Sequence, residues 1–313
     1  MLDTVNFKLT QAEVEGVDFL CETLPHLNPG GLAFHDYNGE QIVTGTLDGL
    51  KVSVSRYQIR VGNGSLCKYL LGDNFQSMGR GDVQRAVEKL SDELHIPMAR
   101  AIVTRLDVAE NIITRHPTPV YLNHLGVLTY ANRLLQPNSL YYKKRDETLC
   151  FYDKIKEQRA NGETIPDLYK GQNVLRYEQR YMKRLGAHFK VEAVTGALLY
   201  DESFYIDLLN RWRDTYRAIR KINDVTLNFT AMKTKRELQL MGVLALVKQT
   251  GGEIEMLAQI AEAQKRGDLT AKQAFDLRTA VKNACKVREG LTVPNDAITE
   301  LDKKIADAVR FYR

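Results

Sequence analysis

Tyr152 and Lys154 are the two residues whose types and spacing most suggest a reaction. They stand in Leu149-Cys150-Phe151-Tyr152-Asp153-Lys154-Ile155-Lys156-Glu157, a β-like run that ends in charge. Alternation puts Cys150, Tyr152 and Lys154 on one side of it and Leu149, Phe151 and Asp153 on the other. A phenol beside an ammonium can act as a nucleophile, because a positive neighbour favours the phenolate that a tyrosine of pKa about 10 rarely forms at neutral pH. Tyr141 and Tyr142, next to Lys143-Lys144-Arg145, are rivals for the role, Tyr142 being the stronger of the two.

Two further stretches share this design. In Ala101–Glu110, Ile102, Leu106 and Val108 lie on one face and Val103, Arg105 and Asp107 on the other, so a carboxylate sits within a hydrophobic strand. An ionised carboxylate there is costly unless a cation or a hydrogen bond meets it, and Arg105 is one candidate partner. In Val174–Met182, Leu175, Tyr177 and Tyr181 alternate with Arg176, Glu178 and Arg180. If the three strands pair in one sheet, Asp107, Tyr152 and Glu178 are expected to converge within roughly 10 Å. An ion pair of Glu178 with Arg176 or Arg180 is the alternative to a chemical role.

The order "TRLDVAEN", "LCFYDKIKE", "LRYEQRYMKRLG", preceded by "MLDTVNFKL" and "CKYLLGDNF", resembles the gene II and gene X replication proteins of filamentous phages and related plasmids, over roughly residues 1 to 190. More loosely it resembles the rolling-circle initiators of staphylococcal plasmids. The resemblance implies a rolling-circle replication initiator. Such an enzyme nicks one DNA strand through a tyrosine, keeps the 5′ phosphate covalently, leaves a 3′ hydroxyl to prime synthesis, and later rejoins the ends. Carried onto this chain, Tyr152 is the nucleophile and Asp107 and Glu178 are metal ligands. Lys154 or Arg105, cations beside these residues in the sequence, is the expected stabiliser of developing negative charge. Oxygen ligands without a histidine cluster suit Mg²⁺ or Mn²⁺ better than Zn²⁺. Where the phage proteins read Gly-His-Asn, this chain reads Gly72-Asp73-Asn74, and it has no His-hydrophobic-His pair. The expected partners are origin DNA, double- and single-stranded, with a host helicase as a candidate for the C-terminal part. The alternatives are a non-catalytic origin or single-stranded-DNA-binding regulator and a phosphodiesterase that uses water.

Composition is compatible with this. The net charge is only +5, but residues 139 to 190 carry twelve Lys or Arg against seven Asp or Glu, a local basic field suited to a phosphate polymer. No apolar run approaches a membrane span and no basic-then-apolar leader opens the chain, so a soluble cytoplasmic protein is expected. Cys21, Cys67, Cys150 and Cys285 lack metal-type spacing and read as reduced thiols.

The elements that must position these residues follow from periodicity. Strands are expected over Asp3–Leu9, Gln41–Leu47 and Lys51–Val61, the last two joined at Asp48-Gly49, a hairpin signal. A helix capped by Asp82 carries Val83, Ala86, Val87, Leu90 and Leu94 on one stripe, and a second helix is expected from Val120 to Leu135. The fold class is therefore α+β, an antiparallel sheet with helices on one face and the other face free for substrate. From Asp201 onward the pattern is helical: Glu202–Lys221, Lys233–Gln249, Gly252–Arg266, Thr270–Arg288 and Asn295–Tyr312. A boundary near residue 195 divides a nicking domain, 1–195, from a helical C-terminal domain, 196–313.

Overall fold

The alternating runs pair into one antiparallel sheet. In the computed structural model, which describes residues 1–37, 39–222, 224–225, 233–286, 292–293 and 295–313, ten strands form it: β1 (Leu2–Thr10), β2 (Ala33–Tyr37), β3 (Glu40–Leu47), β4 (Leu50–Val54), β5 (Gln58–Gly62), β6 (Ile102–Thr114), β7 (Asn132–Gln136), β8 (Ser139–Lys143), β9 (Glu147–Asp153) and β10 (Asn173–Tyr181). Their order is β2-β3-β4-β5-β1-β6-β10-β9-β8-β7. Asp48 and Gly49 turn β3 into β4 with φ of 44° and 85°, the two positive values that the tightest hairpin turn requires.

One face of the sheet is apolar and covered. Leu106, Val108 and Ile112 of β6, Leu175, Tyr177 and Tyr181 of β10, and Leu149 and Phe151 of β9 are buried against the Arg80–Leu94 and Glu202–Ala218 helices. An aromatic stack ties strand to helix: the Phe151 and Tyr177 rings lie 4.4 Å apart and nearly parallel, and Tyr177 lies 4.6 Å from Trp212. The Glu202–Ala218 helix buries Phe204, Leu208, Trp212 and Tyr216 and keeps its arginines outward, as its periodicity predicts. The Asp296–Tyr312 helix, capped by Asn295, adds Ile298, Leu301, Ile305 and Val309 to the same core. The helices Lys235–Gln249, Glu253–Arg266 and Ala271–Lys286 share a smaller core of their own, with Leu244, Val247, Ile260, Val281 and Cys285. Residues 287 and 288, expected to end the last of these, lie outside the described residues. Among the described residues no helix is long and apolar enough to cross a membrane.

Four local expectations are corrected. The Val120–Leu135 helix is only Thr118–His124; the chain turns extended at Leu125, which bridges Lys221, Gly126 donates its N–H to the Arg220 carbonyl at 2.8 Å in an approach too close for a Cβ, and the chain continues into β7. The single strand over Lys51–Val61 is split into β4 and β5 by a turn at Ser55–Tyr57, where the Ser55 amide meets the Gln58 carbonyl. Asp82 closes its helix from inside the first turn, accepting the Gly79 N–H at 2.8 Å, while Gly79 is the cap. The run through Tyr152 leaves the sheet at Asp153, whose carboxylate accepts the Lys156 N–H, and Lys154 opens the Lys154–Ala160 helix.

Candidate active site on the open face

The uncovered face presents the polar halves of the alternating strands. On β10 these are Arg176, Glu178 and Arg180, and the register fixes their neighbours. Arg176 lies between Asn111 and Tyr152, Glu178 between Ala109 and Cys150, and Arg180 between Asp107 and Thr148. Tyr152 and Asp107 are thus diagonal to Glu178 on opposite sides of it. They are two strands apart, about 10 Å, and staggered by four residues, about 13 Å, so sharing a face brings their α-carbons no closer than about 16 Å. That is wider than the convergence expected from strand pairing alone. Small Ala109 and Cys150 flank Glu178 in the middle row. A cleft of about 480 Å³ opens here, bordered by Asp107, Glu178, Arg180, Tyr152, Lys154 and Asp3 among others. Tyr152, Glu157 and Arg180 also border a second cleft of about 370 Å³, with Tyr141 on its far side.

The charges in the first cleft are paired. Arg105 holds Asp107 with two bonds, Nε–Oδ1 at 3.0 Å and Nη2–Oδ2 at 2.6 Å, and Arg180 Nε lies 3.9 Å from Asp107 Oδ2. The Asp107 side chain is only 2% exposed, and burial pushes its pKa up to about 6 against the opposing pull of Arg105. Arg180 donates twice to Glu178 Oε2, and Arg176 Nε lies 3.5 Å from Glu178 Oε1, so the ion pairs anticipated for Glu178 both occur. Beneath them Arg176 is fully buried and bonds Asp3 Oδ2 at 2.6 Å, Asn111 Oδ1 at 3.1 Å and the Asn74 carbonyl at 3.2 Å. Burial works to raise the Asp3 carboxyl, but Arg176 and a hydrogen bond from Ser65 hold it below the ordinary range.

Lys154 borders the cleft although it is not on the strand. Its ammonium is buried, bonded to Glu157 Oε2 at 2.8 Å, and burial and then Arg176 lower its pKa. For Tyr152 the electrostatic expectation reverses: burial outweighs the pull of Arg176, and the hydroxyl is held as a phenol above its usual pKa. The phenolic hydroxyl has no hydrogen-bond partner among the described residues. Tyr142 points the other way, buried in the core with its hydroxyl on the Gly126 carbonyl at 2.6 Å; of the two rivals it is Tyr141 that faces outward, opposite Cys150.

Reading strands one at a time missed Asp3, Asn74, Asn111 and Ser65. The first arrives through a register shift in β1 between Leu2 and Val5, which carries no sequence signal. Asn74 arrives on a turn in which Asp73 Oδ1 accepts the Phe75 and Gln76 N–H groups, so Asp73 shapes the loop. Among the described residues no three His, Cys, Asp or Glu cluster as a metal-holding group. Asp107 and Glu178 are instead each neutralised by arginine, and the partly exposed Arg180 reaches both.

A family model for the N-terminal region of the replication-associated gene II protein matches residues 1–199. No curated protein matches the sequence.

Proposed function

This chain belongs to the family of replication-associated proteins of the filamentous-phage gene II type, which are replication initiators, and on that premise we propose that it starts replication by nicking one strand of origin DNA through Tyr152. Attack of the phenolic oxygen on a backbone phosphorus forms an O–P bond as the P–O3′ bond breaks. The 5′ phosphate stays on the tyrosine and the 3′ hydroxyl is free to prime synthesis. The phenolic proton passes to a carboxylate of the cleft, and the departing O3′ takes up a proton. The link conserves the phosphodiester energy, so rejoining needs no nucleotide.

The observation that supports this best is an unbonded tyrosine hydroxyl bordering the same open cleft as Asp107, Glu178 and Arg180. Arg105 orients Asp107, and the buried Lys154 and Arg176 keep positive charge beneath the cleft floor. Asp107 and Glu178 would hold Mg²⁺ or Mn²⁺, with Arg180 turning outward to the phosphate. The cation would neutralise charge on the non-bridging oxygens. The partners on this reading are origin DNA, double-stranded and then single-stranded, and a host helicase.

The test is incubation with supercoiled DNA carrying the origin of the encoding element and Mg²⁺, followed by denaturing electrophoresis for a protein–DNA adduct. Wild type should give an adduct on the 5′ end that Tyr152→Phe abolishes. Because the lost hydroxyl has no partner among the described residues, the variant should melt like wild type. Cleavage without attached protein, or an adduct of unchanged yield, overturns the assignment.

A further inference from the structure

The open face does not end at the nicking cleft. Beyond β6 it continues over β1, β5, β4 and β3 as a trough of about 690 Å³, in which Lys8 stands opposite Arg60 across β1 and β5 and Lys51 stands on β4. Asn63 borders both trough and cleft, and it is tied to β1 by a reciprocal pair of bonds with Asn6, at 2.9 and 3.2 Å. Thr104, in the trough, directly precedes Arg105 in the cleft.

The two regions differ in how their charge is disposed. In the cleft Lys68, Arg105, Lys154 and Arg180 are each paired with a carboxylate. In the trough no carboxylate lines the walls, and among the described residues Lys8, Lys51 and Arg60 form no ion pair. Three cations held on adjacent strands with nothing to neutralise them fit an evenly spaced polyanion. Hydroxyl and amide groups of Thr44, Ser53 and Asn63 line the walls around them. Phe7, the aromatic among the residues lining the trough, turns into the core and offers no stacking platform. Tyr141 and Tyr152, which border the second cleft, lie on the opposite side of Glu178.

We propose that this trough grips the phosphate backbone of single-stranded DNA on one side only of the scissile phosphate, through Lys8, Lys51 and Arg60 and without reading bases. The proposal rests on the nicking reading and adds to it a sidedness: one flank of the nick is held by phosphates, independently of sequence. From β4 to Tyr152 on β9 is five strand spacings, about 24 Å, enough for a few nucleotides of extended strand.

The test uses the full chain and the triple variant Lys8→Gln/Lys51→Gln/Arg60→Gln, which should melt like wild type because these side chains reach solvent and carry no ion pair among the described residues. Binding of a fluorescent oligothymidine is followed by anisotropy against salt. Losing three phosphate contacts should flatten the slope of log affinity against log salt by about 2 and weaken binding at least about tenfold at low salt. Oligonucleotides spanning the mapped nick, extended by about ten nucleotides on either the 5′ or the 3′ side, then report sidedness. The variant should lose the benefit of one extension and keep that of the other. An unchanged salt slope, or equal loss with both extensions, overturns the trough. A wild-type protein that forms no adduct but shows the trough-dependent slope overturns the nicking reading instead.

Discussion

Replacing Asp107 by asparagine should make the protein more stable and inactive at once. Burial lifts the Asp107 carboxyl from 3.8 to about 6, and a difference of about 2 in pKa corresponds to about 3 kcal/mol. Between those two values the folded state holds a proton that the unfolded chain has released, so stability falls as pH rises through the window and the whole penalty is present above about pH 6. Asparagine has the same shape and no charge to desolvate. It gives up the two charge-assisted bonds from Arg105, whose side chain is 25% exposed and regains water in return. The net expectation for Asp107→Asn is a gain of about 1–3 kcal/mol near pH 7.5 that shrinks towards zero near pH 4. Urea unfolding midpoints across that range measure it, with the adduct assay run on the same preparations. A variant less stable than wild type near neutrality, with a gap that does not narrow on acidification, would show that the arginine pairing outweighs burial and refute the reasoning.

Other outcomes follow from the same geometry. Tyr142→Phe should leave adduct yield unchanged while costing about 1 kcal/mol for the lost bond to the Gly126 carbonyl; loss of the adduct would bring the buried tyrosine back as the nucleophile. Trp212→Ala removes the base of the Phe151–Tyr177 stack and should cost about 3–5 kcal/mol in denaturant unfolding, a cost under about 1 kcal/mol being inconsistent with the packing described. Added Mg²⁺ or Mn²⁺ should raise the melting temperature of wild type but not of an Asp107→Asn/Glu178→Gln variant, and an equal response in both would remove these carboxylates as ligands.

The division of β10, and of β6 from Arg105 onward, into a greasy and a charged face was legible because alternation is a local property of a strand, and Arg105, Asp107, Arg176, Glu178 and Arg180 all sit on the face that parity assigns them. Before Arg105 the reading fails: a register shift against β1 between Asn6 and Phe7 breaks the alternation, so Val103, expected beside Arg105, is buried in the core with Leu106 and Val108. Register is not local. Nothing near Tyr152 says that it lies opposite Arg176, or that Asp107 lies four residues away along the sheet. The reach of a strand is equally hidden: Asp153 can continue a β run or cap a helix, and the packing of Ile155 beside Phe75 and Val174 settles it as a cap. Leu122, Leu125 and Leu128 recur at helical spacing, yet the backbone from Leu125 is extended and paired with Arg220 and Lys221, nearly a hundred residues later. The sign of the Tyr152 shift was missed for a related reason: the lysine was visible in the chain, but the depth of burial was not.

The helix Asp296–Tyr312 completes the underside of a sheet whose strands all precede residue 182. During translation the strands therefore leave the ribosome with Ile298, Leu301, Ile305 and Val309 still unmade, and the apolar surface they cover stays bare for more than a hundred codons. A chain released within that interval is expected to expose this apolar surface and to aggregate rather than work as a fragment.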